Sequence, residues 1–98
     1  SMFDIFGREE GQTLTTRNIK IIKEIAERTQ KIETGVEELV DARKRANKIE
    51  DVREHAIAYH DTIAPRMEEI RYQIDKLELI VSDELWTLPK YRELLFIR

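Results

Sequence analysis

Apolar residues recur along this chain at helical intervals. In the first half they fall at Ile22, Ile25, Thr29, Ile32, Val36, Leu39, Arg43 and Ala46, in steps of 3, 4, 3, 4, 3, 4 and 3. Alternating steps of three and four place side chains along one side of an α-helix. Ile19, Ile21, Ala26, Val40 and Ala42 widen the stripe beyond a narrow seam. Thr13, Thr15 and Thr16 are candidate N-caps. The pattern predicts a first helix over about residues 16–47, roughly 48 Å long at the α-helical rise. Gly35 lies in its middle and costs about 1 kcal/mol against Ala; it reads either as room for close helix approach or as a tolerated defect. Arg43 stands at a stripe position, where its long side chain can reach solvent.

A second stripe follows. Asn47-Lys48-Ile49-Glu50-Asp51 reads as a turn, and Asp51 with Glu54 resembles a capping box. Val52, Ala56, Tyr59, Ile63, Met67, Ile70, Ile74, Leu77 and Val81 then share a face, with two consecutive steps of four ending at Met67. Such a stutter locally changes the helix phase. Pro65 lies inside it, lacks an N–H and crowds the carbonyl of Asp61. A second helix over about 51–83, kinked near Pro65, is expected. Pro89 fits the first position of a short third helix over 89–96, folding back over the open end of the pair. Residues 3–12, with Phe3, Ile5 and Phe6, show no sustained period and read as a lead-in. Ser1-Met2 reads as a tag remnant.

The expected fold is therefore all-α: an antiparallel hairpin of two long helices plus a short C-terminal helix, residues 13–98 forming one domain. Two helices cannot shield both stripes. Self-association into a four-helix bundle, or docking on another domain, is expected. The packing residues would be Ile22, Ile25, Ile32, Val36, Leu39, Ile63, Met67, Ile70, Ile74, Leu77 and Val81. The apolar tail adds Leu85, Trp86, Leu88, Tyr91, Leu94, Leu95 and Phe96. Trp86 reads either as an interface anchor or as a lock between the third helix and the hairpin.

Composition fits long helices and narrows the function. Of 98 residues, 38% are charged and 41% hydrophobic, with 3 Gly, 2 Pro and no Cys. Net charge is −3, with the signs interspersed, which argues against nucleic-acid and basic membrane-surface partners. No apolar run approaches the ~20 residues of a membrane span. The absence of cysteine excludes disulfides and thiolate metal sites and suits a cytoplasmic setting.

Candidate chemistry is sparse. His55 and His60 are five apart, on different helical faces, so a metal or nucleotide site built on them with Glu54 and Asp61 is the weaker reading. The adjacent pairs Glu9-Glu10, Glu37-Glu38 and Glu68-Glu69 diverge on a helix and form no dyad by spacing. There is no Gly-rich phosphate loop. No catalytic, cofactor-binding or metal-ligating residue is assigned. The pattern alone supports a helical packing module, either part of a larger protein or a free-standing adaptor.

Residues 65–72 (Pro-Arg-Met-Glu-Glu-Ile-Arg-Tyr), 75–81 (Asp-Lys-Leu-Glu-Leu-Ile-Val) and 83–96 (Asp-Glu-Leu-Trp-Thr-Leu-Pro-Lys-Tyr-Arg-Glu-Leu-Leu-Phe) resemble the C-terminal end of type III glutamine synthetases. That family often ends in Trp-Pro-Leu-Pro-x-Tyr-x-x-x-Leu-Phe after a long helix. Here Thr87 replaces its first Pro. Ala42-Arg43-Lys44-Arg45-Ala46-Asn47 and Ala56-Ile57-Ala58-Tyr59 are also similar to this region of the family. The resemblance spans about residues 13–98 and implies a helical extension of a large ATP-dependent ligase using Mg or Mn. It carries no catalytic residue onto this chain. Its implied partners are the catalytic domain of the same or a neighbouring chain, and further copies in a homo-oligomer.

Overall fold

The computed structural model describes residues 2–96, without the side chains of residues 2–6, 91, 95 and 96. Helix α1 runs Met2–Asn47, and α2 runs Val52–Ala58. A π-helical turn, Tyr59–Ile63, leads into α3, Ala64–Phe96. The chain is thus an antiparallel helical hairpin, 76 × 19 × 14 Å, whose second arm is α2, the π-turn and α3 in succession. Its radius of gyration is 21.9 Å, against about 13 Å for a compact domain of this length.

The turn is built as the sequence suggests. The Asp51 carboxylate accepts from the Glu54 N–H at 2.9 Å, and the Asp51 carbonyl accepts from the His55 N–H at 2.8 Å. An oxygen cap of this kind satisfies donors that the first helical turn leaves unpaired. At the other side of the turn, Ile49 N–H donates to the Ala46 carbonyl at 3.0 Å. Tyr59 OH then bonds Asn47 Oδ1 at 2.6 Å and ties the arms together beside it.

Three expectations are corrected or refined. First, α1 begins at Met2 rather than near Thr16, so the lead-in is helical. Gly7 and Gly11 are tolerated inside it, while Thr13 and Thr15 bond back to the carbonyls of Glu9 and Gly11 instead of capping. The side chains of Phe3, Ile5 and Phe6 lie outside the described residues. Second, the bend expected near Pro65 is present, and the element that makes it is the π-turn just before the proline. Ala64 N–H bonds the Tyr59 carbonyl, five residues back. One inserted residue shifts the helical phase, which the stutter records, and a widened turn is a known way to accommodate a break in the hydrogen-bond ladder. Third, no separate helix starts at Pro89. That proline lies inside α3, and the tail continues along the same axis instead of folding back. Pro89 is exposed, so water can serve the carbonyl whose bond it forfeits.

A further finding concerns which residues meet within the hairpin. On α1 the half-buried and buried positions include Ile21, Ile25, Arg28, Ile32, Gly35, Leu39, Ala42 and Ala46. On the second arm they include Tyr59, Ile63, Arg66, Ile70, Gln73, Leu77, Ile80 and Glu84. Of the expected stripes, Ile25, Ile32 and Leu39 on one arm and Ile63, Ile70 and Leu77 on the other line the seam within the hairpin. The alternate positions lie one residue outside it. Ile22, Val36, Met67, Ile74 and Val81 are exposed, while their preceding neighbours face the opposite helix. The tight core sits near the turn, where Ala42, Ala46 and Ile63 are buried and Leu39, Ala58 and Tyr59 pack around them.

Candidate functional site: an uncovered apolar face

The seam explains Gly35, Arg28 and Gln73. Gly35 lets the arms approach: a Cβ there would lie 3.0 Å from Ile70 Cγ1. Further along, Arg28 Nη1 donates to Gln73 Oε1 at 2.9 Å, and Gln73 Nε2 donates to Glu69 Oε1 at 2.9 Å. Arg28 is also held by Glu24, at 3.0 and 3.2 Å. Gln73 is 3% exposed, and both ends of its amide are engaged, as a buried polar group requires. Arg17 and Glu84 form a two-bond pair nearer the open end, at 2.5 and 3.1 Å.

These contacts fix an antiparallel register that sets Arg17 beside Glu84, Arg28 beside Gln73 and Gly35 beside Ile70. Seen down the hairpin, the two arms wind in opposite senses. One residue forward from the seam therefore turns both arms toward the same side. Ile22, Thr29 and Val36 on α1 share that side with Met67, Ile74, Val81 and Leu88 on α3, and all are exposed. One residue back from the alternate seam positions lie Glu24, Lys31 and Glu38, with Glu69, Lys76 and Asp83 on the opposite arm. The first side is mainly apolar; the other is charged on α1, while on α3 it carries Tyr72, Leu79 and Trp86 beside its charged residues.

α3 carries a second exposed row, Tyr72, Leu79 and Trp86, spaced by seven. Trp86 is 81% exposed. It does not lock the tail onto the hairpin, and of its two sequence readings only the interface anchor is compatible with this placement. Leu85, Leu88 and Leu94 are exposed too. The side chains of Tyr91, Leu95 and Phe96 lie outside the described residues.

The histidines do not converge. His55 stacks on Tyr59 with ring centroids 4.8 Å apart, and its Nδ1 faces the Ile49 carbonyl at 3.3 Å. His60 is exposed beside Asp61, 3.0 Å away. Among the described residues no group of three or more His, Cys, Asp or Glu could hold a metal ion. No described helix is long and apolar enough to cross a membrane. The site that remains is a surface rather than a pocket.

Comparison with known proteins gives that surface a context. The chain is 44% identical, over 97 residues, to a glutamine synthetase of Bacteroides fragilis (strain YCH46). Along nearly its whole length, the chain is similar to glutamine synthetase. The aligned segment is 99% of this chain but 13% of that relative. A type-3 glutamine synthetase of Dictyostelium discoideum is 45% identical over 47 residues, 46% of the chain and 6% of the relative. The chain thus spans about an eighth of the length of the glutamine synthetase it matches most fully here. No family model and no solved structure matches it.

Proposed function

We propose that this chain is the non-catalytic C-terminal helical domain of a type-3 glutamine synthetase, and that it packs and assembles the larger enzyme. The parent reaction would be the ATP-dependent ligation of ammonia to glutamate, in the cytoplasm, as part of nitrogen metabolism. ATP and Mg or Mn would be held elsewhere in the parent, since the described residues offer two exposed apolar rows and no group of three or more His, Cys, Asp or Glu that could hold a metal ion. The observation that carries the reading is the uncovered apolar side of a hairpin that aligns along nearly all its length with glutamine synthetase. The separate row Tyr72, Leu79 and Trp86 suits the catalytic domain of the same or a neighbouring chain, because Trp and Tyr are favoured anchors in such contacts.

Deleting this segment from the parent enzyme tests the proposal. The truncated enzyme is expected to fall to smaller assemblies in sedimentation velocity, and the isolated 98-residue chain to show no ligation of ammonia to glutamate. Turnover by the isolated chain, or unchanged assembly of the truncated enzyme, would overturn it.

A further inference from the structure

The proposed assembly role leaves open what covers the apolar side, and the geometry points to a second copy of this chain. The hairpin exposes 8630 Å², while a compact monomer of its mass would expose about 5,900 Å². The difference, roughly 2,700 Å², exceeds the ~800 Å² per partner of an ordinary stable interface. Ile22, Val36, Met67, Ile74 and Val81 are each between 40% and 65% exposed, on a single side. Association would therefore cover apolar surface that the hairpin itself cannot.

The pattern on that side is self-complementary. Ile22 and Val36 lie seven residues either side of Thr29, and Met67 and Val81 lie seven either side of Ile74. In the hairpin register the contacts Arg28–Gln73 and Gly35–Ile70 bracket Thr29 and Ile74, which puts these two within about 3 Å of the same level. A two-fold axis across the arms at that level stacks α1 on α1 and α3 on α3, antiparallel. Ile22 then meets Val36 of the second copy, Met67 meets its Val81, and Ile74 meets Ile74. The same operation sets Arg71 opposite Glu78 of the second copy, twice per dimer. Among the described residues neither is ion-paired within its own hairpin. An isologous contact needs such pairs, each residue meeting the other's counterpart. The product is a four-helix bundle whose outer sides carry the charged residues and the row Tyr72, Leu79 and Trp86.

Three measurements on the 98-residue chain test this. Sedimentation equilibrium is expected to give a dimer, and Ile74→Glu a monomer of unchanged helicity by circular dichroism, since Ile74 does not line the hairpin seam. Arg71→Glu and Glu78→Arg are each expected to weaken dimerisation about tenfold, given two pairs per dimer, and their combination to restore it. Because the chain has no cysteine, Ile74→Cys should oxidise to a disulfide-linked dimer, whereas Lys31→Cys on the charged side should not. A chain that stays monomeric, or a dimer that survives Ile74→Glu and ignores the charge reversals, overturns the inference. If the chain is monomeric but binds the separately expressed catalytic portion of the parent, this two-fold contact is wrong while the assembly role stands.

Discussion

The Arg28–Gln73 contact offers the sharpest quantitative test of the seam. Gln73→Leu removes an acceptor that the Arg28 guanidinium bonds at 2.9 Å. A hydrogen bond to a charged group contributes about 1.5–3 kcal/mol net. Glu69, the other partner of Gln73, is exposed and regains water. Arg28 keeps Glu24 and retains some solvent contact, its side chain being 20% exposed. Burying Leu instead of Gln returns roughly 1 kcal/mol. The expected net loss is about 1 kcal/mol. Arg28→Leu alone strands the buried amide oxygen of Gln73, which costs about 1–3 kcal/mol before its own apolar gain. The double substitution strands nothing and fills the seam with leucine, a change that often stabilises when a buried polar pair is replaced whole. The two effects should therefore be strongly non-additive, with a coupling energy of about 1–3 kcal/mol and a double variant at least as stable as the parent chain. Urea unfolding followed at 222 nm, at one fixed protein concentration to hold association constant, measures the cycle. Additivity within about 0.5 kcal/mol would show that the two side chains do not act as a pair.

The remaining expectations follow from the same contacts. Gly35→Val should destabilise by about 1–3 kcal/mol, because its Cβ already starts 3.0 Å from Ile70 Cγ1. Adding Ile70→Ala should recover part of that loss in thermal unfolding; no recovery would mean that Gly35 matters only through backbone freedom. Asp51→Ala should cost about 1 kcal/mol by removing the cap on α2, seen as faster amide exchange in residues 52–58. Glu84→Gln should cost about 0.5–1 kcal/mol at low salt, since both partners are partly exposed, and the difference should shrink in 1 M NaCl.

Helix periodicity made the hairpin legible, and it did so for a physical reason. Few breakers, two long stripes and an acidic cap at Asp51 leave a helical pair with one short turn as the natural solution. The boundaries were less legible because breakers act according to where they face. Pro89 reads as a helix start in sequence, yet it lies inside α3 on an exposed position, where water can serve the carbonyl whose bond it forfeits. Pro65 reads as a kink, and the ladder relaxes through the π-turn over Tyr59–Ile63. The Trp86-Thr87-Leu88-Pro89 run suggests a fold-back only if Trp86 has a surface within its own hairpin to cover, and it is 81% exposed instead.

The choice of seam within the hairpin has a deeper cause. Each stripe is wider than a single helix contact, so two phases compete: one through Ile22, Thr29, Val36, Met67, Ile74 and Val81, the other through Ile21, Arg28, Gly35, Arg66, Gln73 and Ile80. Hydrophobicity alone favours the first, but a pair of helices has to close-pack and satisfy its buried polar groups as well. Gly35 admits Ile70, and Arg28 finds Gln73, only in the second phase. Choosing it leaves the better apolar row facing outward. A chain selected to stand alone as a hairpin would gain by burying that row and placing Arg28 and Gln73 in water. The opposite arrangement is the one expected when register within the hairpin is set by polar contacts and the apolar row is reserved for association. Exchanging the phases tests this directly: Arg28→Ile with Gln73→Ile, together with Ile74→Gln and Val36→Gln, should give a more stable hairpin that no longer associates. Retained association in that variant would break the link between the choice of seam and the free apolar side.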